Sequence, residues 1–308
     1  MNLIKFLYVT VLIALAVGCK HSEDKTDVSF KHTPLIEAHA LANIIYEDSV
    51  VVVDMRKPED YQKGHIPGAV NIWRTDIQTD TLPYTGMIAS KHQIETLLGN
   101  LGISNNHFLI IYDDKASCDA ARLWWALDFY GFERSALLDG GIKAWQQVGQ
   151  LTNLKTQRSV KNFSFPENYS SSRFVDLEAL KTQYKDTNMV IIDSRTLDEY
   201  HGYYKKTGAY DSGRIPGSVH IDWAVNVDFE TQQFKSIKDI KANYNLIDSL
   251  ATIAVYCHSG VRSAHTTFVL TQLLGFKHVK NYDGSWTEWS YHKLPIERDS
   301  LIIDLIRN

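Results

Sequence analysis

The chain is written twice. Val50-Val51-Val52-Val53-Asp54-Met55-Arg56, followed by Tyr61 and Gly64-His65-Ile66-Pro67-Gly68, returns as Met189-Val190-Ile191-Ile192-Asp193-Ser194-Arg195, Tyr200 and Gly213-Arg214-Ile215-Pro216-Gly217. Farther on, Tyr112, Asp139 and Trp145 are matched by Tyr256, Asp283 and Trp289, each 144 positions later. A constant offset across separated landmarks marks a duplicated structural unit. Each copy alternates short apolar runs with helical patterns. In the second copy the runs predict strands at 189–193, 218–222, 252–256 and 278–282, with helices near 197–201, 237–248, 264–274 and 285–291. That alternation predicts an α/β fold of two domains, each a mostly parallel sheet flanked by helices on both faces. Ligands of such sheets sit beyond the carboxyl ends of the strands.

The length of 308 residues is enough for two such domains. We expect domain 1 at 38–150, a polar linker with Pro166 at 151–173, domain 2 at 174–300 and a tail at 301–308. Residues 1–19 differ from the rest: Lys5 precedes an apolar stretch, Phe6 to Val17, that is short for a membrane span and reads as a signal peptide. Ala16-Val17-Gly18-Cys19 resembles the bacterial lipobox, which implies lipidation of Cys19. Residues 20–37 would then be a tether, and the protein would be exported and membrane-tethered, on the periplasmic side or the cell surface. The net charge of −4 is small and no basic blocks with interleaved aromatics occur, so nucleic acid is not an expected partner. The twelve histidines show no metal-ligand spacing, and neither a metal nor an organic cofactor is expected.

Chemistry concentrates at Cys257-His258-Ser259-Gly260-Val261-Arg262, between the apolar run 252–256 and a helical run. A cysteine here sits at the carboxyl edge of a strand, in a loop whose backbone N–H groups can converge on its sulfur. The following helix dipole and Arg262 both favour thiolate, the nucleophilic form. The equivalent position in the first copy is Asp113, while the other cysteine of that loop, Cys118, matches Arg262. Cys118 reads mainly as an ordinary thiol, with a resolving partner for Cys257 as the alternative.

Asp-x-Arg, Gly-[His/Arg]-Ile-Pro-Gly, Cys-x-x-Gly-x-Arg and Asp-Gly-[Gly/Ser] with a following Trp together resemble the rhodanese superfamily, over residues 40 to 300. Two copies with one loop cysteine are similar to the tandem thiosulfate or 3-mercaptopyruvate sulfurtransferases. The resemblance implies two rhodanese-like domains, the first catalytically silent. It also implies a Cys257 persulfide that carries sulfur from a small anionic donor to cyanide or a thiol. His258, Ser259, Gly260, Val261 and Arg262 would form the substrate cradle. Cysteine phosphatases of similar fold place the arginine six positions after the cysteine; here it is five, which favours sulfur. A persulfide carrier or redox-sensing module is the alternative, with a phosphatase or arsenate reductase behind it.

Donor specificity departs from the family pattern. The substrate-binding arginine four residues after Asp-x-Arg is replaced by Glu199, a carboxylate expected to repel an anionic donor. The second copy also carries an insertion before Arg214, with Lys205 and Lys206. Arg262 with Lys205 or Lys206 is therefore the expected donor-anion site, against a reading in which the lysines are solvated loop charges. Arg74 reads as a surface residue more readily than a cleft residue.

Overall fold

A computed structural model of the chain describes residues 33–169, 172–185 and 188–299. Residues 1–19, expected to be a signal peptide ending at Cys19, most of the expected tether 20–37 and the tail 301–308 lie outside the described residues.

The two copies fold into the same ten-element sequence. The first runs β1 (Leu35–Ile36), α1 (Ala38–Ile44), β2 (Val50–Asp54), α2 (Pro58–Lys63), β3 (Val70–Asn71), α3 (Lys91–Asn100), β4 (Phe108–Tyr112), α4 (Cys118–Phe129), β5 (Ser135–Leu138) and α5 (Gly141–Trp145). The second runs β6 (Phe174–Val175), α6 (Leu177–Gln183), β7 (Met189–Asp193), α7 (Leu197–His201), β8 (Val219–His220), α8 (Ile237–Asn243), β9 (Thr252–Tyr256), α9 (Val261–Phe268), β10 (Val279–Tyr282) and α10 (Ser285–Tyr291). Strand orders are β1-β5-β4-β2-β3 and β6-β10-β9-β7-β8, and every pairing between them is parallel. Two parallel five-stranded sheets with flanking helices are thus present. Val50–Val53 are buried to the last residue because helices cover both faces, which is why this strand is continuously apolar. The expected helix at 264–274 starts earlier, at Val261, because left-handed Gly260 (φ +79°) lets the chain turn straight out of β9.

Both Asp-x-Arg pairs close the carboxyl end of a central strand. Arg195 binds Asp193 through Nε and Nη2 and donates to the Gly213 carbonyl at 2.7 Å, while Tyr256 Oη donates to Asp193 at 2.6 Å. Asp54, Arg56, Gly64 and Tyr112 repeat the arrangement. These charges are buried, paired and hydrogen-bonded, as buried charges must be. They anchor the Ile-Pro-Gly turns.

The halves share a core. Ala264 and Phe268 of α9 lie in the same apolar cluster as Trp124, Leu123 and Leu127 of α4, and the Trp124 and Phe268 rings meet edge to face at 4.9 Å. The connecting segment also joins the first core, through buried Phe163 and Phe165. Its polar composition concealed these anchors. The packing of α4 on α9 brings the ends of the two loops that precede them to one side of the molecule.

Candidate active site

Cys257 is the first residue beyond β9 and is 1 % exposed. Its loop is held from several directions. The backbone N–H groups of Cys257 and Gly260 both donate to Ser285 Oγ at 3.1 Å, and that hydroxyl donates to the Tyr282 carbonyl. The carbonyls of Cys257 and His258 accept the N–H groups of Trp286 and Thr287, in the first turn of α10. Ser263 Oγ lies 3.5 Å from the Cys257 sulfur, within reach to donate to it. Burial by itself would raise the thiol pKa. The charge of Arg262, the Ser263 hydroxyl and the backbone N–H groups of Ser263 and Ser259 outweigh it and bring the pKa below its ordinary value.

The first half shows what such a loop binds. Asp113, at the matching position, is fully enclosed, and its carboxylate accepts the N–H groups of Lys115, Ser117, Asp119 and Ala120 at 2.7 to 2.9 Å. Burial and the neighbouring Asp119 push its pKa up to about 6 against the pull of those N–H groups. A carboxylate carries its charge two bonds from Cβ, as a cysteine persulfide does, with Cγ in the place of Sγ and the oxygens in the place of the terminal sulfur, which the longer C–S and S–S bonds carry farther out. Donors in the second half that match Lys115 and Asp119 are Ser259 and Ser263, the two N–H groups that act on Cys257.

Several expectations about the cradle change. Gly260 does not offer its N–H to a ligand, because Ser285 takes it. Its role is the left-handed turn. Val261 buries its side chain, leaving only its backbone for binding. His258 is 7 % exposed, and burial with the charge of Lys206 lowers its pKa to about 4, so it is a neutral imidazole at ordinary pH. Arg262 is not a free anion receptor: Nη1 and Nη2 bind both oxygens of Glu199 at 2.6 and 2.9 Å. This corrects the expected repulsion by Glu199. Burial would raise the Glu199 pKa, but the hydrogen bonds and charge of Arg262 dominate and hold it at about 2. The carboxylate's charge is matched on the spot.

The insertion does reach the site. Gly208 lies against His258, and partial burial and the Arg262 charge lower the Lys206 pKa while Glu199 and Cys257 pull it up, although the Lys206 residue is exposed. Lys205 is exposed and makes no hydrogen bond or ion pair among the described residues. Arg74 is partly exposed, pairs with Asp119 at 3.7 Å and is near enough for its charge to act on Lys206. Lys115 joins the same carboxylate at 3.0 Å. Among the described residues no group of three His, Cys, Asp or Glu side chains is arranged to hold a metal.

Sequence reasoning missed Ser285 as the hub of the loop. A signal was present, since Asp283-Gly284-Ser285 has serine where the first half has Gly141. A side chain at Gly141 would strike the Asp113 carbonyl, 2.2 Å from an added Cβ, whereas Ser285 adopts φ +52° and keeps its hydroxyl. Such local strain is commonly held at functional sites.

Cys118 and Cys257 are both free and buried. Burial, the carboxylates of Asp119 and Asp113, and to a lesser degree Cys257 push the Cys118 thiol far above its usual pKa, against the opposing charge of Arg262. Cys118→Ser is expected to keep turnover within about threefold of wild type, because so little thiolate forms there. Steady-state sulfur-transfer rates check this, and a loss of activity would make Cys118 a relay thiol.

A parallel α/β sheet with an activated thiol cradled at its carboxyl edge defines a class of thiolate-dependent enzymes. The rhodanese-like domain family matches residues 37–148 and again 176–292. The thiosulfate sulfurtransferase of Corynebacterium glutamicum is 32% identical over 247 residues, covering 77% of this chain and 81% of that one. The sulfur carrier protein TtuD of Thermus thermophilus is 35% identical over 241 residues, covering 74% and 83%. The chain belongs to the rhodanese family in its two-domain form, and it is a sulfurtransferase. Among solved structures, wild-type EanB has a TM-score of 0.76 at 21% identity, over 87% of this chain and 70% of that one, a likeness of fold.

Proposed function

We propose that the chain takes a sulfane sulfur from thiosulfate or 3-mercaptopyruvate onto Cys257 and delivers it to cyanide or a thiol. The relative from Corynebacterium glutamicum, named for thiosulfate, supports the donor class. The observation that carries the reading is the Asp113 carboxylate in the silent loop, a built-in likeness of the charged persulfide held by backbone N–H groups. With thiosulfate, the Cys257 thiolate attacks the outer sulfur, the S–S bond breaks and sulfite leaves with its electron pair. With cyanide, the terminal persulfide sulfur is transferred, thiocyanate forms and the thiolate returns. No net oxidant or reductant is needed. The N–H groups of Ser259 and Ser263 hold the developing charge without reorganising.

Lys206 and Arg74 border the mouth and supply the positive field that attracts an anionic donor. Arg262 acts on the thiol through its charge, with Glu199 keeping it in place. The test compares donors on the purified protein: thiosulfate with cyanide against mercaptopyruvate with a thiol. Turnover with at least one is expected. A stable persulfide on Cys257 without turnover would instead favour a sulfur carrier, the function for which TtuD is named.

The proposed location is the outer side of a bacterial membrane, through lipid on Cys19. Palmitate labelling of cells is expected to mark the wild-type chain and to be lost in Cys19→Ser.

A further inference from the structure

Repeat symmetry makes one departure visible. Arg122 of α4 corresponds to Thr266 of α9, so two packed helices carry an arginine and a neutral threonine at equivalent places. Arg122 is fully buried. Its Nη1 donates to Asp283, in the turn after β10, and to the Gly260 carbonyl at 3.3 Å. Its Nη2 donates to the Gly86 carbonyl at 2.8 Å. Asp283 also accepts the Ile88 N–H at 2.8 Å. One guanidinium of the silent half therefore ties three segments together: the Cys257 loop, the turn beneath it, and a strap at Pro83–Ile88 from the first half. Among the described residues the mirrored turn has no such cation: Asp139 accepts the Phe234 N–H at 2.9 Å, and the matching residue is Thr266.

We propose that Arg122 is a positioning residue for sulfur transfer, holding the Gly260 peptide and the strap so that the loop N–H groups converge on Cys257. This rests on the reading of Cys257 as the nucleophile. Gly260 is clamped at both ends, its N–H on Ser285 and its carbonyl on Arg122. Its neighbours in the loop are then left to face the sulfur. The strap closes over Ser259 so tightly that a Cβ on Gly86 would lie 2.5 Å from Ser259 Cβ. A fork that donates in several directions fits this task, and a lysine cannot reproduce it. The guanidinium comes from the first half and acts on the half that carries the thiol, where the equivalent residue of α9 is Thr266.

The test uses Arg122→Lys and the pair Arg122→Met with Asp283→Asn, which leaves no buried charge unmatched. Three quantities are read: the pH midpoint of Cys257 alkylation by iodoacetamide, kcat and KM with thiosulfate and cyanide, and the thermal midpoint. Both variants are expected to raise the alkylation midpoint by about one pH unit and to lower kcat about tenfold, with KM within about twofold. Asp128→Asn breaks the ion pair that the far end of α4 makes with Arg173. It serves as the structural control, expected to lower thermal stability without moving the alkylation midpoint. Unchanged midpoint and kcat in both Arg122 variants, beside Cys257-dependent turnover in wild type, would overturn the positioning role. A midpoint that moves while no donor turns over would support the positioning role and sink the sulfur-transfer reading instead.

Discussion

Cys257→Ser is expected to lower sulfur transfer by roughly 10³-fold or more, because a reaction divided at a covalent intermediate loses both halves with its nucleophile. A serine hydroxyl at the same place is a poor attacker of sulfur and cannot form a persulfide. Wild-type protein exposed to donor alone should gain the mass of one sulfur atom at Cys257, and the variant should not. The rate of donor attack should fall as pH drops through the Cys257 pKa, which the loop holds below the ordinary cysteine value. Full activity in Cys257→Ser would end the proposed mechanism. Asp113 supplies an internal control, since the first-half loop fills its own cradle with a carboxylate and has no thiol at that point.

Arg262→Met should damage stability and chemistry by separate routes. It strands Glu199, a carboxylate only 3 % exposed, and removing one partner of a buried ion pair costs about 3–5 kcal/mol. It also removes the charge that does most to favour the Cys257 thiolate. Combining it with Glu199→Gln should restore much of the thermal stability but leave the alkylation midpoint of Cys257 high. Rescue of both properties would show that Arg262 acts only as a strut. The pH dependence has a definite sign. In the wild type the Glu199 pKa is depressed to about 2 from its ordinary 4.5, so its contribution is present above pH 4.5 and is lost as pH falls toward 2. In Arg262→Met the unpaired buried carboxyl has its pKa raised instead, so acidification from neutral pH should narrow the stability gap to wild type. Thermal melts from pH 4 to 7 would measure it, and a gap that widens on acidification would refute the account.

The local elements were legible because their causes are local. A continuous run such as Val50–Val53 can be buried only between two helical layers, and Gly260 before a helical run marks a sharp turn. Cys257 could be assigned to the sheet edge for the same reason. The expected early helix limit failed by three residues because Gly260 caps the helix directly. The partners of the loop were not legible. Glu199 looked like a repulsive charge when considered alone, since its match, Arg262, lies 63 positions away. Lys205 and Lys206 looked equivalent in sequence and both are exposed, yet the charges of Arg262, Glu199 and Cys257 reach Lys206. Neither hydrophobic period nor spacing records such contacts.

By itself, the sequence determined the duplicated α/β architecture, the half that carries the thiol and the edge on which that thiol sits. Those follow from strand and helix periodicity, repeat offset and the type of residue at one turn, all readable within short windows. Only the tertiary structure decided which donors remain free to face the sulfur, that Ser285 occupies two loop N–H groups, and that Arg262 is matched by Glu199. It alone brought Arg122 across to Gly260 and Asp283, over 138 and 161 positions of chain. The physical reason is that electrostatic pairing and hydrogen-bond satisfaction depend on distance in space, and packing α4 against α9 makes neighbours of residues that the chain keeps far apart.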